Sequence, residues 1–593
     1  MTSPMARPDP HSVTDDAQPT TRHLEWDASV DFASKRLVAT VTLHFRDATK
    51  TATPFDLDAR ALEVSEVTDL LGVPLKWEAM PLDAILGAPL RLHVPAGASG
   101  VKVRYRTGPD ASALQWLEPS QTHGGKQPYL FSQCQAIHAR SVLPCQDTPA
   151  RRVSYRASLS VPSGLVAVMA AAPRNSETKD GRTTFHFEMP QVIPPYLLAF
   201  AVGDLASKDL SPRSRVWCEP GLLASAAWEF EGVERHLAAA ESLFGPYDWE
   251  RFDLRVMPPS FPYGGMENPR LTFLTPTLLA GDRSMVNVVA HELAHSWTGN
   301  LVTNINAEHF WLNEGFTVFA ERRILEALEG HEVAELHAAL GRNDLDEAVS
   351  RFMRAGTPEL TKLRTKLAGI DPDEAFSVVP YEKGYLLLRA LEAAAGRANF
   401  DALLKSWLTK HRFGAVNTDD FIAHCDASAP GLLAQVNALE WIDQPGIPAT
   451  APRAKSARLD AVKALVGSIP ESAKVASWSA VEWQLFLEWS PRSLTADQLR
   501  TLDERFHFST AKNTEVHVAW LLLCLQCNFD AVLPQVDAFL GRVGRMKYLK
   551  PLFAALHSRP STAARAKDLF ARNSARLHPI ARQVIAALLA KVP

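Results

Sequence analysis

Met285-Val286-Asn287-Val288-Val289-Ala290-His291-Glu292-Leu293-Ala294-His295 is the stretch on which the reading of this chain turns. It runs without Gly or Pro and reads as a largely buried helix, so His291 and His295, at i and i+4, fall on one helical face. Two imidazoles so placed bind one Zn²⁺ at about 2.0–2.1 Å. Glu292, about 100° round the helix from His291, reaches the water that such a site activates without ligating, which is the position of a general base. A catalytic zinc needs a third protein ligand, and a carboxylate is the usual partner of a His pair. Glu314, in Trp311-Leu312-Asn313-Glu314-Gly315, is the candidate, with eighteen residues separating it from His295. That gap leaves room for a loop and a second helix over 314–329, whose Phe316, Phe319, Ile324 and Leu328 recur at helical spacing.

At 593 residues the chain is too long for one core, and three or four domains are expected. A net charge of −4, from 62 basic and 66 acidic residues, offers no nucleic-acid or anionic-membrane surface. Residues 1–21 are polar and read as a disordered lead-in without a signal-peptide core. No run approaches 18 uninterrupted apolar residues, so no transmembrane helix is expected. The six cysteines form no secreted disulfide framework, and Cys524 and Cys527 read as packing residues; a reducing cytoplasm fits.

Along 22–205 the pattern is strand-like. Leu37, Ala39, Val41, Leu43 and Phe45 alternate with polar or small residues, as do Val153, Tyr155, Ala157, Leu159 and Val161, which predicts an all-β domain. Over 206–442 the period changes: 229–244 reads as a helix, 252–257 as a short strand, and the motif helices follow. The breaker-rich 443–455 reads as a linker. Serial short helices over 456–593, with a capping-box signature at Thr495 and Gln498, suggest a solenoid-like α-helical C-terminal domain without a fixed repeat.

Two further segments bear on chemistry. In Phe261-Pro262-Tyr263-Gly264-Gly265-Met266-Glu267-Asn268-Pro269 two glycines permit close backbone approach by a ligand, and Glu267 is an anion available to a substrate ammonium. In Pro380-Tyr381-Glu382-Lys383-Gly384-Tyr385 the Tyr381 hydroxyl is a donor for a developing oxyanion. Taken alone, each is also what an ordinary turn and a half-buried core tyrosine look like.

Taken together, Gly264-Gly265-Met266-Glu267-Asn268, the His291–His295 motif, Trp311-Leu312-Asn313-Glu314-Gly315 and Pro380-Tyr381-Glu382-Lys383-Gly384 resemble the zinc aminopeptidases of the gluzincin class. Gln133-Cys134-Gln135-Ala136-Ile137-His138, the stretches 271–282 and 296–304, and Gly544-Arg545-Met546-Lys547 narrow the resemblance to the leukotriene A(4) hydrolase/aminopeptidase branch. The resemblance implies a multidomain α+β fold: an N-terminal β-sheet saddle, a thermolysin-like zinc domain and an α-helical C-terminal domain. It implies one Zn²⁺ on His291, His295 and Glu314, with Glu292 as base and Tyr381 stabilising the oxyanion. It also implies a substrate site of Gln135, Tyr263, Gly264, Gly265, Met266 and Glu267, with Glu267 and Gln135 gripping the substrate amine and Arg545 and Lys547 holding a C-terminal carboxylate. Asp373 matches an acidic residue tied to epoxide opening. Phe376 stands where leukotriene-converting members carry a tyrosine.

The expectation is a cytoplasmic, monomeric zinc aminopeptidase acting on short peptides with a free N-terminus. A bifunctional lipid-epoxide hydrolase and a metalloendopeptidase are the rival hydrolases. A non-enzymatic scaffold is disfavoured by the intact set of Glu292, Tyr381 and ligands.

Overall fold

The alternating runs become adjacent parts of one seven-stranded sheet, with Leu37, Ala39, Val41, Leu43 and Phe45 buried from Arg36–Phe45 and Val153, Tyr155, Ala157, Leu159 and Val161 buried from Val153–Pro162. A computed structural model describes residues 9–591. The sheet runs in the order Ala172–Lys179, Arg182–Ile193, Val153–Pro162, Thr21–Asp31, Arg36–Phe45, Gly100–Thr107, Leu62–Asp69. Its only parallel pairing among the described residues joins Thr21–Asp31 to Val153–Pro162. A four-stranded sheet shares the same core, Trp26 meeting Phe200 at 5.4 Å between ring centroids. Its strand Tyr129–Ser132 leads straight into the loop that carries Gln135.

The disordered lead-in expected over 1–21 does not hold where the chain is described. Asp9, His11, Ser12, Val13 and Thr14 are buried. The buried Asp58 carboxylate accepts from Ser12 Oγ and from the Val13 amide, Arg140 Nη2 donates to the His11 carbonyl at 2.7 Å, and Thr148 Oγ1 donates to Asp9 at 2.6 Å. A polar segment can be ordered this way because partners distant in the chain meet its hydrogen-bonding groups, which composition alone does not reveal. Residues 1–8 lie outside the described part.

The next sheet is five-stranded and mixed, in the order Ala206–Ser211, Ser214–Cys218, Asp253–Val256, Leu271–Leu274, Gly265–Met266. Gly265–Met266 is its edge, antiparallel to Leu271–Leu274. The helix expected over 229–244 is two helices, Leu223–Glu229 and Val233–Phe244, interrupted where Gly232 caps the second. Helix Asn287–Ala294 buries Val289, Ala290, Leu293 and Ala294, and packs against Trp311–Glu329, whose Phe316, Phe319 and Ile324 are buried in the same core.

After residue 456 the chain is helical to Pro579–Ala590, and Thr495 and Gln498 form the expected capping box. The expected linker 443–455 is docked: Lys383 Nζ donates to Gln444 O at 2.8 Å, and the Gly446 amide donates to Thr361 Oγ1. The three hydrophobic cores interlock. Trp249, Met257, Phe261, Met266, Leu271 and Phe273 join the N-terminal core, while Leu336 and Ala339 join the C-terminal one. The seam between the cores is where the site lies.

Candidate zinc centre and substrate groove

His291 Nε2 lies 3.2 Å from His295 Nε2, and Glu314 Oε2 lies 3.4 Å from the first and 3.5 Å from the second. Three ligands on a zinc tetrahedron of about 2.0–2.1 Å bonds stand about 3.3–3.4 Å apart, so this triangle has the right size. Its electronics agree. Glu314 Oε2 is buried with no hydrogen-bond donor among the described residues. His291 Nδ1 faces Glu321 Oε2 at 3.0 Å, and His295 Nδ1 faces the Thr298 carbonyl at 3.1 Å. Each ring therefore donates outward from Nδ1 and turns its Nε2 lone pair inward. Two lone pairs and a carboxylate oxygen converging on one point call for a cation, and the donor set suits zinc.

Helix contact brings the other groups to this triangle. Gly315 and Gly384 sit where Trp311–Glu329 meets Val379–Ala395, so close that a Cβ on Gly315 would lie 2.7 Å from Gly384 Cα. That approach sets the Tyr381 ring nearly parallel to His291, centroids 6.1 Å apart, with its hydroxyl at the Glu314 carboxylate. Gly265 does the same for Glu292, since a Cβ there would lie 2.2 Å from its Oε1. The edge strand and Glu292 are thus in contact.

Glu267, Glu292 and Glu314 are all buried in one space. Burial pushes the Glu292 carboxyl up to about 8, with His291 drawing it down and Glu314 pushing it further up. Burial, then Glu314, then Glu292 hold Glu267 well above the usual carboxylate range. Three carboxylates crowded this way lack positive charge, which a divalent metal and an ammonium would supply. Glu267 Oε1 is buried without a partner among the described residues, while Asn300 Nδ2 anchors its backbone carbonyl at 2.7 Å.

The remaining expected residues fall around this centre. Met266 is buried and accepts from Gln133 Nε2, whereas Gln135, two residues further on, is half-buried. Tyr263 packs against Phe376 at 6.0 Å, and Phe376 against Tyr381 at 5.9 Å. Asp373 Oδ2 lies 2.8 Å from His138 Nε2, whose other nitrogen faces Ser112 Oγ at 2.8 Å. Arg545 is buried, its Nη2 2.6 Å from where a Cβ on Gly264 would stand, while Lys547 is 45% exposed. Glu321, Thr298, Thr317, Asn313 and Tyr196 were not anticipated, although they surround the ligands. For Glu321 a signal existed: it follows Glu314 by seven positions, two turns along the same helical face.

Fold and site define a zinc metallohydrolase built for peptides. The chain belongs to peptidase family M1: residues 20–197 match the Peptidase M1 N-terminal domain, 228–441 the Peptidase family M1 domain and 478–589 the Leukotriene A4 hydrolase C-terminal domain. It is 36% identical to the leukotriene A-4 hydrolase of Xenopus laevis over 98% of each chain. It is also 36% identical to leucine aminopeptidase 2 of Chaetomium globosum, over 97% of this chain and 98% of that one. The solved structure of yeast LTA4 hydrolase in complex with Bestatin is 32% identical and superposes with a TM-score of 0.92, covering 99% of this chain and 98% of that chain. The three-domain architecture, the zinc cofactor and membership of the metallo-aminopeptidase class follow from this kinship. No helix among the described residues is long and apolar enough to cross a membrane.

Proposed function

We propose that this aminopeptidase removes N-terminal residues from short peptides that it reads at both ends. His291, His295 and Glu314 would hold a zinc ion, which would supply a Lewis acid for the first peptide carbonyl and lower the pKa of water toward about 7. Glu292 takes the proton from the attacking water and hands it to the leaving amine. Tyr381 donates to the carbonyl oxygen as charge builds there, a contact strongest in the transition state. Glu267, with Gln135, accepts the substrate ammonium; Gly264, Gly265 and Met266 offer an edge strand for the peptide backbone. Tyr263 walls the groove, and Arg545 and Lys547 take the C-terminal carboxylate.

One observation carries exo- over endo-cleavage. Glu267 Oε1 is an unpaired carboxylate oxygen in a residue only 4% exposed, within reach of Glu292 and His295. An ammonium placed there satisfies it, and an acetylated amine does not. The test compares aminoacyl fluorogenic amides and short peptides with their N-acetylated forms, with and without a chelator. Equal cleavage of blocked and free peptides would remove Glu267 from amine recognition and make the protein an endopeptidase.

Lipid-epoxide hydrolysis is the second reading. It is favoured by Asp373, 2.8 Å from His138 and three residues before the Phe376 that packs on Tyr263, and product analysis with a fatty-acid epoxide decides it. We further read the protein as a cytoplasmic monomer, in keeping with its six unpaired cysteines, and divide it into domains at 22–205, 206–442 and 456–593.

A further inference from the structure

Arg545 and Lys547 do not stand alone. Glu515, in the first turn of Thr514–Gln526, accepts from Arg545 Nη1 at 3.3 Å and from the Tyr548 hydroxyl at 3.0 Å through Oε1, and pairs with Lys547 Nζ at 2.9 Å through Oε2. One carboxylate therefore occupies both cations that the proposed function gives to the substrate's C-terminus. The fork carries a net charge of one rather than two.

We propose that Glu515 is a specificity-determining residue: an internal carboxylate that competes with the substrate's own and so sets how strongly a free C-terminus is preferred over a neutral one. This rests on the reading of Arg545 and Lys547 as the carboxylate-binding pair. Glu515 is not required to hold Arg545 in place. The guanidinium also donates to the Tyr548 hydroxyl at 2.7 Å and lies 4.8 Å over that ring, and Gly264 lacks the Cβ that would displace it. The guanidinium is not saturated either, since buried Arg545 Nε has no partner among the described residues. Burial pushes the Glu515 carboxyl up, but Lys547 and Arg545 outweigh it, so the competing group stays ionised. Its place at a helix N-terminus works in the same direction.

The test is the ratio of KM for a C-terminally amidated tripeptide to KM for the same tripeptide with a free carboxylate, in wild type, Glu515→Gln and Lys547→Gln. Glu515→Gln is expected to widen the ratio by about fivefold, through a lower KM for the free acid, while the amide stays put. Lys547→Gln, which leaves Arg545 facing Glu515 alone, is expected to narrow it. A structural role for Glu515 predicts equal losses on both substrates. Should wild type treat acid and amide alike, the carboxylate reading of Arg545 and Lys547 falls and this inference with it. Should wild type discriminate while Glu515→Gln leaves the ratio unchanged or narrowed, this inference alone is overturned.

Discussion

Gly315 and Gly384 touch backbone to backbone: the Cβ that Gly384 lacks would lie 2.8 Å from Gly315 Cα. Gly315 follows Glu314 and Gly384 lies three residues after Tyr381 in the same helix, so this contact sets the distance between the His291–His295–Glu314 triangle and Tyr381. Gly384→Ala is expected to push the two helices apart by tenths of an ångström or more, lowering kcat by at least about tenfold while zinc remains bound. Steady-state kinetics beside metal analysis checks it; wild-type kcat would mean that Tyr381 tolerates the shift.

Glu321 holds His291 by Nδ1 at 3.0 Å. Partners of this kind orient the ring and raise its basicity, and their loss costs about 10–100-fold in metal affinity. Glu321→Ala should lose zinc at correspondingly lower chelator concentration in a competition titration, with Glu321→Gln intermediate because the amide oxygen still accepts.

Glu292→Gln keeps the side chain's shape against Gly265 but removes the proton acceptor. Stoichiometric zinc with a kcat reduced by at least about a hundredfold is expected. If this variant turned over at the wild-type rate, Glu292 would have no part in the proton transfers.

Lys383 donates to the Thr361 and Gln444 carbonyls at 2.9 and 2.8 Å, and burial, with a lesser push from Lys362, pulls its ammonium from the ordinary 10.5 down to about 7. Between about pH 7 and 10.5 the unfolded chain holds a proton that the folded chain gives up. Stability from this group is thus fully present above 10.5 and lost as pH falls through about 7. Melting temperature measured across that window should climb less steeply in Lys383→Met than in wild type. A variant with the wild-type slope would show that the two carbonyls keep Lys383 charged.

The histidine pair was legible because its geometry is local: an i, i+4 pair on one helix places two imidazoles together before any tertiary contact forms, whereas only packing brings Glu314 to them. The strands 36–45 and 153–162 were legible for the same reason, a period of two along a half-buried face. The break at Gly232 within 229–244 and the burial of Asp9 and 11–14 were not legible, the latter because its partners Asp58, Arg140 and Thr148 lie far along the chain.

Residue order alone thus picked out the candidate inventory, His291, His295, Glu314, Glu292 and Glu267, since each sits in a short motif whose spacing constrains it. Folding decided how those groups are tuned. Glu321 on His291, Gly384 on Gly315, and Glu515 on both Arg545 and Lys547 are matters of through-space distance. Coulombic and steric energies depend on that separation and not on position in the chain.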